Sequence, residues 1–303
     1  MRIFNDIHDL PVFVNPVITI GSFDGVHAGH HTIIQTIQDK AKSILGEAIL
    51  LTFYPHPRKI LFSDSNFKLI NTIEEKMENL ERLGLDNLVI YPFSRDFSTM
   101  SPEAYIEEVL IKKFKPKVIV IGYDHRFGAQ RKGNIETFRF FQDKYQYELI
   151  EINPQSINEM IVSSSKIRTA LSTGDIELAN QLLGYPYTLK GRVVKGNQLG
   201  RTIGFPTANI ELEDMDKMIP MNGVYGVEVV DKDLQAFKGI MNIGVKPTVD
   251  GNKQTIEVHI LDFDRDIYGE KLRVNLLNFI RPEQKFASLE ALKEQIHRDI
   301  ASL

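Results

Sequence analysis

The residues with the clearest chemical potential stand in one stretch, Gly21-Ser22-Phe23-Asp24-Gly25-Val26-His27-Ala28-Gly29-His30. It follows a short apolar run, Val17-Ile18-Thr19-Ile20, which reads as a strand. After it, Ile33, Ile34, Ile37, Ala41, Ile44 and Leu45 recur at helical spacing, predicting a helix over about 30–44 with one buried face. A turn from strand to helix presents backbone N–H groups and the positive end of the helix dipole, a natural phosphate site. Glycine there lets backbone approach a ligand that a side chain would hold off. His27 and His30 bracket Gly29 at that turn. Two histidines at a helix start are ordinarily solvated side chains; their place in this glycine-rich word makes them candidates for phosphate chemistry.

The elements that must position this turn alternate through the first half. Glu47 to Tyr54 and Asn87 to Phe93 read as strands, separated by a helix from Thr72 to Leu83. Thr72 with Glu75 three residues on forms a capping-box pattern, and Gly84 marks the end. Ser101-Pro102-Glu103 opens another helix. Lys117 to Gly122 is a β-branched run of the kind buried on both faces of a parallel sheet. A helix near 135–144 and a strand near 147–152 complete a doubly wound α/β domain. In such sheets ligands bind beyond the carboxyl ends of the strands. Three further loops are expected at that end: Thr52-Phe53-Tyr54-Pro55-His56-Pro57, Gly122-Tyr123-Asp124-His125-Arg126-Phe127-Gly128, and Val162-Ser163-Ser164-Ser165-Lys166-Ile167-Arg168.

Near Leu183-Gly184-Tyr185-Pro186 a helical stretch ends, and the pattern changes to successive strands. Tyr187 to Val194, Gly223 to Val230, Phe237 to Ile243, Thr255 to Leu261 and Leu272 to Ile280 suggest an antiparallel barrel. A final helix, about Ser288 to Ile300, carries Leu289, Leu292 and Ile296 on one face. The expected division is therefore 1–184 and 185–303.

Composition narrows the class. A chain of 303 residues, 43% hydrophobic and 25% charged, suits two globular cores. Net charge is −4 with no basic run, which argues against nucleic acid as a partner. The absence of cysteine excludes disulfides and thiolate metal sites. No apolar run has membrane-spanning length, and the first residues lack the layout of a signal peptide, so a cytoplasmic location without membrane partners is the expectation.

The His-x-Gly-His word resembles the signature of nucleotidyltransferases, and with Phe-Asp-Gly before it, their flavin branch. The three loops are similar to those of the FMN adenylyltransferase module of prokaryotic bifunctional riboflavin kinase/FAD synthetases. The family usually reads Phe-Asp-Pro-His-Pro where this chain has Tyr54 in place of the aspartate. It reads Ser-Ser-Thr-x-Ile-Arg where this chain has Ser165 for threonine, and His125 stands where an aromatic is common. The resemblance implies that the phosphate of FMN attacks the α-phosphate of ATP and pyrophosphate leaves. It casts His27 and His30 as charge stabilisers, with Gly21, Ser22, Phe23 and Gly29 at the phosphates. Ser164, Ser165 and Arg168 would hold pyrophosphate, and Asp24 and Asp124 the flavin or adenosine side.

The second half resembles flavokinases through Gly204-Phe205-Pro206-Thr207-Ala208-Asn209, Gly223-Val224-Tyr225, Asn242-Ile243-Gly244 with Pro247-Thr248, Tyr268-Gly269 and Arg281-Pro282-Glu283-Gln284-Lys285-Phe286. Strand alternation places Ile256, Val258 and Ile260 on one face and Glu257 on the other. The resemblance makes Glu257 the general base for riboflavin's 5′-hydroxyl. It gives Mg²⁺ to Thr207 and Asn209, ATP phosphates to Gly200, Arg201, Gly204 and Thr207, and a flavin contact to Arg281. The expected substrates and products are riboflavin, ATP, FMN and FAD. Alternatives are a kinase with a silent first half, with Tyr54 as the motive, and a flavin-binding regulator without turnover. An RNA-binding protein is disfavoured by charge.

Overall fold

The computed structural model describes residues 1–62, 67–157, 160–196, 199–248 and 251–303, and the side chains of Leu199, Lys246, Pro247, Thr248, Asn252 and Lys253 lie outside what is described. The chain divides into two compact units, Met1–Ser163 and Ser164–Leu303.

The first unit is built on a parallel sheet of six strands: β1 (Arg2–Phe4), β2 (Val17–Ile20), β3 (Ala48–Tyr54), β4 (Asn87–Pro92), β5 (Val118–Gly122) and β6 (Glu148–Ile152). Their order is β1-β4-β3-β2-β5-β6, and a separate antiparallel pair, β7 (Ser156–Ile157) and β8 (Met160–Ile161), follows in the chain. Because every pairing is parallel, all carboxyl ends share one edge. Strand β2 lies between β3 and β5 and all its residues are buried, which explains its unbroken apolar run. Three residues with an exposed pattern form β1 at the sheet edge, too short and too polar in its surroundings to be read from periodicity.

Helix α1 (Ala28–Ser43) turns Ile34, Ile37 and Ala41 to the sheet, as the spacing predicts. Helix Ile73–Arg82 starts from the expected Thr72–Glu75 capping box. In the helical segment 102–114 the residues Tyr105–Ile111 are π-helical, a local widening that propensity does not encode.

The second unit contains helices Ser164–Thr173 and Ile176–Leu183 and a closed barrel of β9 (Tyr187–Val194), β10 (Ala208–Leu212), β11 (Gly223–Val230), β12 (Ala236–Thr248), β13 (Gly251–Ile260) and β14 (Lys271–Arg281). Around it the order is β10-β13-β12-β11-β14-β9. The sixth strand, β10, closes the barrel; the sequence shows it only as the tail of the Pro-Thr-Ala-Asn word. Asn180 joins helix Ile176–Leu183 to the barrel, donating to the Leu276 carbonyl at 2.9 Å and accepting from the Tyr187 N–H at 2.7 Å.

The last helix, Leu289–Ala301, differs from the apolar face expected of it. Leu289 is exposed, and the fully buried residue is Asp299. Its carboxylate receives Nε and Nη2 of Arg281 at 2.8–3.0 Å and the Gln295 amide at 2.8 Å. Removing one member of such a pair leaves the other charge poorly solvated. Asp299→Asn is expected to lower barrel stability by about 3 kcal/mol, read as a lower urea midpoint by circular dichroism; an unchanged midpoint would contradict it.

Candidate active sites

In the first unit the turn after β2 is bent through positive φ at Phe23 (45°), Gly25 (90°) and Val26 (36°). His27 then caps α1. The bond is reciprocal: the His30 N–H, shared with the His27 carbonyl at 2.7 Å, reaches Nδ1 of His27 at 3.4 Å, and the His27 N–H donates to Nδ1 of His30 at 3.2 Å. Gly29 permits the arrangement, since a Cβ there would meet the His27 ring at 3.3 Å. The imidazoles stack at 3.6 Å between centroids, and Phe23 stacks on the outer face of His30 at 4.3 Å.

Burial disfavours charge on both rings. Burial, with nearby His31 adding to it, pushes His27 down to about 4. Burial, then the proximity of His27, Lys76 and His31, holds His30 well below the usual histidine range. Both rings are neutral at pH 7. Since each Nδ1 accepts from a backbone N–H, each ring proton resides on Nε2. The turn therefore presents two parallel neutral N–H donors rather than two imidazolium cations. His31, by contrast, is tied to the Val26 carbonyl at 2.8 Å.

Asp24 is buried, and its Oδ1 accepts from the N–H groups of Ile70 and Asn71 at 3.1 and 3.3 Å. Lys76 is also buried, with Nζ donating to the Ser22 carbonyl at 2.6 Å. Burial lowers its pKa to about 8, opposed by the charge of Asp24. Sequence reasoning passed over Lys76, yet the signal was present: it stands in the stripe Ile73, Met77, Leu80, where a lysine is out of place.

Asp124 is exposed in the loop after β5. His125 in the same loop packs near Phe127 and Phe138, and its Nε2 is buried without a partner. Tyr54 ends β3 with its ring 48% exposed, so the family's aspartate position lies at the solvent-facing edge of the sheet. Ser164, Ser165 and Arg168 lie in the first turns of helix Ser164–Thr173, the first element of the second unit.

In the barrel, cross-strand register brings the candidate side chains together. Asn209 of β10 pairs with Glu257 of β13, and Glu257 pairs with Asn242 of β12. Ile256, Val258 and Ile260 are buried, so Glu257 faces outward as alternation predicts. The Thr207 hydroxyl donates to Glu257 Oε2 at 3.4 Å. Gly200 approaches so closely that a Cβ would lie 2.2 Å from the Phe205 carbonyl and 3.4 Å from Thr207 Oγ1. Arg201, Pro206, Thr207, Ala208, Val258 and Tyr268 line one cavity. Gly204 turns through φ 91° beside it in sequence. Arg281 is engaged by Asp299 as described, at the far side of β11 from this row.

A riboflavin kinase family model matches residues 183–303 and an FAD synthetase family model matches residues 12–166. The bifunctional riboflavin kinase/FMN adenylyltransferase of Escherichia coli K12 is 36% identical over 99% of this chain and 96% of its own. That of Listeria monocytogenes is 38% identical over 94% and 90%. This chain belongs to the bifunctional riboflavin kinase/FMN adenylyltransferase family. It is an enzyme of flavin cofactor biosynthesis with both activities, and its substrates and products are riboflavin, ATP, FMN and FAD. A solved structure titled as a macrolide-efflux protein from Streptococcus pneumoniae superimposes on 99% of the chain and 97% of its own, with a TM-score of 0.90 and 32% identity. In the enzyme described here, no helix among the described residues is long and apolar enough to cross a membrane.

His125 gives a direct test of the buried-histidine electrostatics. Burial, with Arg131 nearby, lowers it to about 4, against 6.5 for an unperturbed histidine. The unfolded chain therefore binds a proton that the native state refuses between those values, and stability falls as pH drops through that window. His125→Phe removes one such site. Its stability loss between pH 6.5 and 4.5 is expected to be shallower by about 1.4 kcal/mol per pH unit, measured by urea unfolding at stepped pH. A slope equal to that of the unsubstituted enzyme would contradict a neutral buried His125.

Proposed function

We propose that residues 1–184 carry out adenylyl transfer and residues 185–303 riboflavin phosphorylation, each by positioning and electrostatics without a covalent enzyme intermediate. In the first reaction an oxygen of the FMN phosphate attacks the α-phosphorus of ATP. The bond from that phosphorus to the oxygen bridging to the β-phosphate breaks, and pyrophosphate leaves. The reciprocal backbone bonds of His27 and His30 carry this reading, because they leave two Nε2–H groups as preorganised donors toward phosphate oxygens. Backbone amides of Ser22 and Phe23 assist, with Gly29 making room, whereas the Gly21 N–H is committed to the Leu51 carbonyl at 3.1 Å. Ser164, Ser165 and Arg168 are assigned to the departing pyrophosphate on the strength of their motif. Asp124, exposed in the loop after β5, is assigned to the adenosine or flavin side. Asp24, already committed to two backbone amides, shapes the turn.

In the second reaction Glu257 takes the proton of the ribityl 5′-hydroxyl as the oxygen attacks the γ-phosphorus of ATP; the bond from that phosphorus to the oxygen bridging to the β-phosphate breaks, and ADP leaves. Asn209 and Asn242, adjacent to it across the ladder, orient the hydroxyl and the phosphates. Gly200, Arg201 and Gly204 shape the phosphate loop. The oxygens of Thr207 and Asn209 are hard neutral donors of the kind Mg²⁺ takes beside substrate phosphates, and these residues would hold that ion. Bound there, Mg²⁺ would offset charge on the transferring phosphoryl group. Arg281 acts through Asp299 to hold the last helix rather than on flavin. The site of action is the cytoplasm.

The assignment is tested by following flavins chromatographically with riboflavin, ATP and Mg²⁺. The unsubstituted enzyme is expected to accumulate FMN and then convert it to FAD. His27→Ala and His30→Ala should each slow FAD formation about 100-fold while sparing FMN formation. Glu257→Gln should slow FMN formation by about 10²–10⁴ while supplied FMN is still adenylylated. Joint loss of both activities in a folded single variant would contradict the two-site assignment.

A further inference from the structure

Lys76, a buried ammonium beside the His27–His30 turn, has no part in the phosphate contacts assigned above. It stands on helix Ile73–Arg82, only 5% exposed, with Nζ 2.6 Å from the Ser22 carbonyl. The same carbonyl accepts from the hydroxyl of Thr52, a fully buried residue, at 3.3 Å. Two donors from the protein interior thus fix the direction of one peptide bond. In a trans peptide the C=O and the following N–H point in opposite directions. With the Ser22 oxygen drawn inward to Lys76 and Thr52, the Phe23 N–H is turned away from them.

That N–H donates to no acceptor among the described residues, although Phe23 is 3% exposed. Buried backbone donors are almost always paired, so an unpaired one beside a ligand site points to the ligand. The Phe23 ring stacks on His30, which places its peptide beside the neutral imidazole pair. The brace also closes on itself. Asp24 holds the amides of Ile70 and Asn71, Thr72 next in the chain caps the helix, and that helix returns Lys76 to Ser22.

We propose that Lys76, with Thr52, is a positioning residue for adenylyl transfer: it pins the Ser22 carbonyl inward so that the Phe23 N–H is held toward the phosphates of ATP. This rests on the assignment of the His27–His30 turn to the phosphates. Its role is exerted through a backbone donor and not by contact of the ammonium with substrate. Because charge on the phosphate oxygens changes in the transition state, loss of the donor should fall on kcat more than on KM.

The experiment compares the full enzyme with K76M, T52V, the double variant and H30A. Each is assayed for FMN adenylylation and riboflavin phosphorylation, with folded fraction read by circular dichroism. K76M is expected to lower the adenylyltransferase kcat by about 10- to 100-fold, with KM for FMN within about twofold and the kinase unchanged. T52V should lower the same kcat by about three- to tenfold, and the double variant should be no slower than K76M, because both act on one carbonyl. Wild-type kcat in K76M, or a loss matched by lost folded fraction, overturns the proposal. If K76M does not fold, T52V decides alone: a wild-type kcat overturns it, and a fall in kcat at constant KM upholds it. If H30A retains adenylylation, the assignment of the turn fails first; if H30A is inactive and K76M normal, only the role of Lys76 fails.

Discussion

The adenylyltransferase half depends on a single strained turn in which two histidine side chains satisfy each other's backbone. The first N–H groups of a helix need acceptors, and serine or aspartate usually supplies them. Here His27 and His30 do so reciprocally, at 3.2 and 3.4 Å. That use of both Nδ1 atoms fixes the rings in parallel, fixes the tautomer, and makes burial tolerable only in the neutral state. The orientation of the two rings and the capping of the helix are consequently the same set of bonds. A substitution of either histidine also weakens the cap.

Tertiary supports surround this turn. Strand β2 is buried at the middle of the sheet, so the chain enters the turn from a fixed point. Asp24 of the turn then holds the amides that precede the neighbouring helix, and Lys76 on that helix grips the turn in return. Two opposite charges are buried close together, an arrangement that is costly unless each has further hydrogen bonds. Asp24 has the amides of Ile70 and Asn71, and Lys76 has the Ser22 carbonyl. The pair is better understood as a device for holding backbone in an uncommon conformation than as a contributor to stability.

The barrel solves the same problem by register. An antiparallel ladder places directly opposed residues on one face, so Asn209, Glu257 and Asn242 form a row although they lie far apart in sequence. The alternating buried residues of β13 hold that register against slippage, since a shift by one residue would turn Glu257 into the core. Gly200 brings its own segment against the Phe205 carbonyl and Thr207 by excluding a side chain.

Local patterns determined much by themselves. Alternating strands and helices gave the α/β half, two-residue periodicity gave five barrel strands, and motif words picked out His27, His30, Thr207 and Glu257. These are legible because periodicity and capping are written in neighbouring residues. What only tertiary structure decided involves residues brought together from a distance. Strands β1 and β10 were hidden because short strands owe their existence to partners. The ring proton positions of His27 and His30 depend on burial and mutual contact. Asp24 and Lys76 lie 52 residues apart in the chain, about 180 Å if it were extended, and only the fold brings their charges near each other. Arg281 joins Asp299 because a buried charge seeks the nearest opposite one, a choice made after folding and invisible to any local pattern.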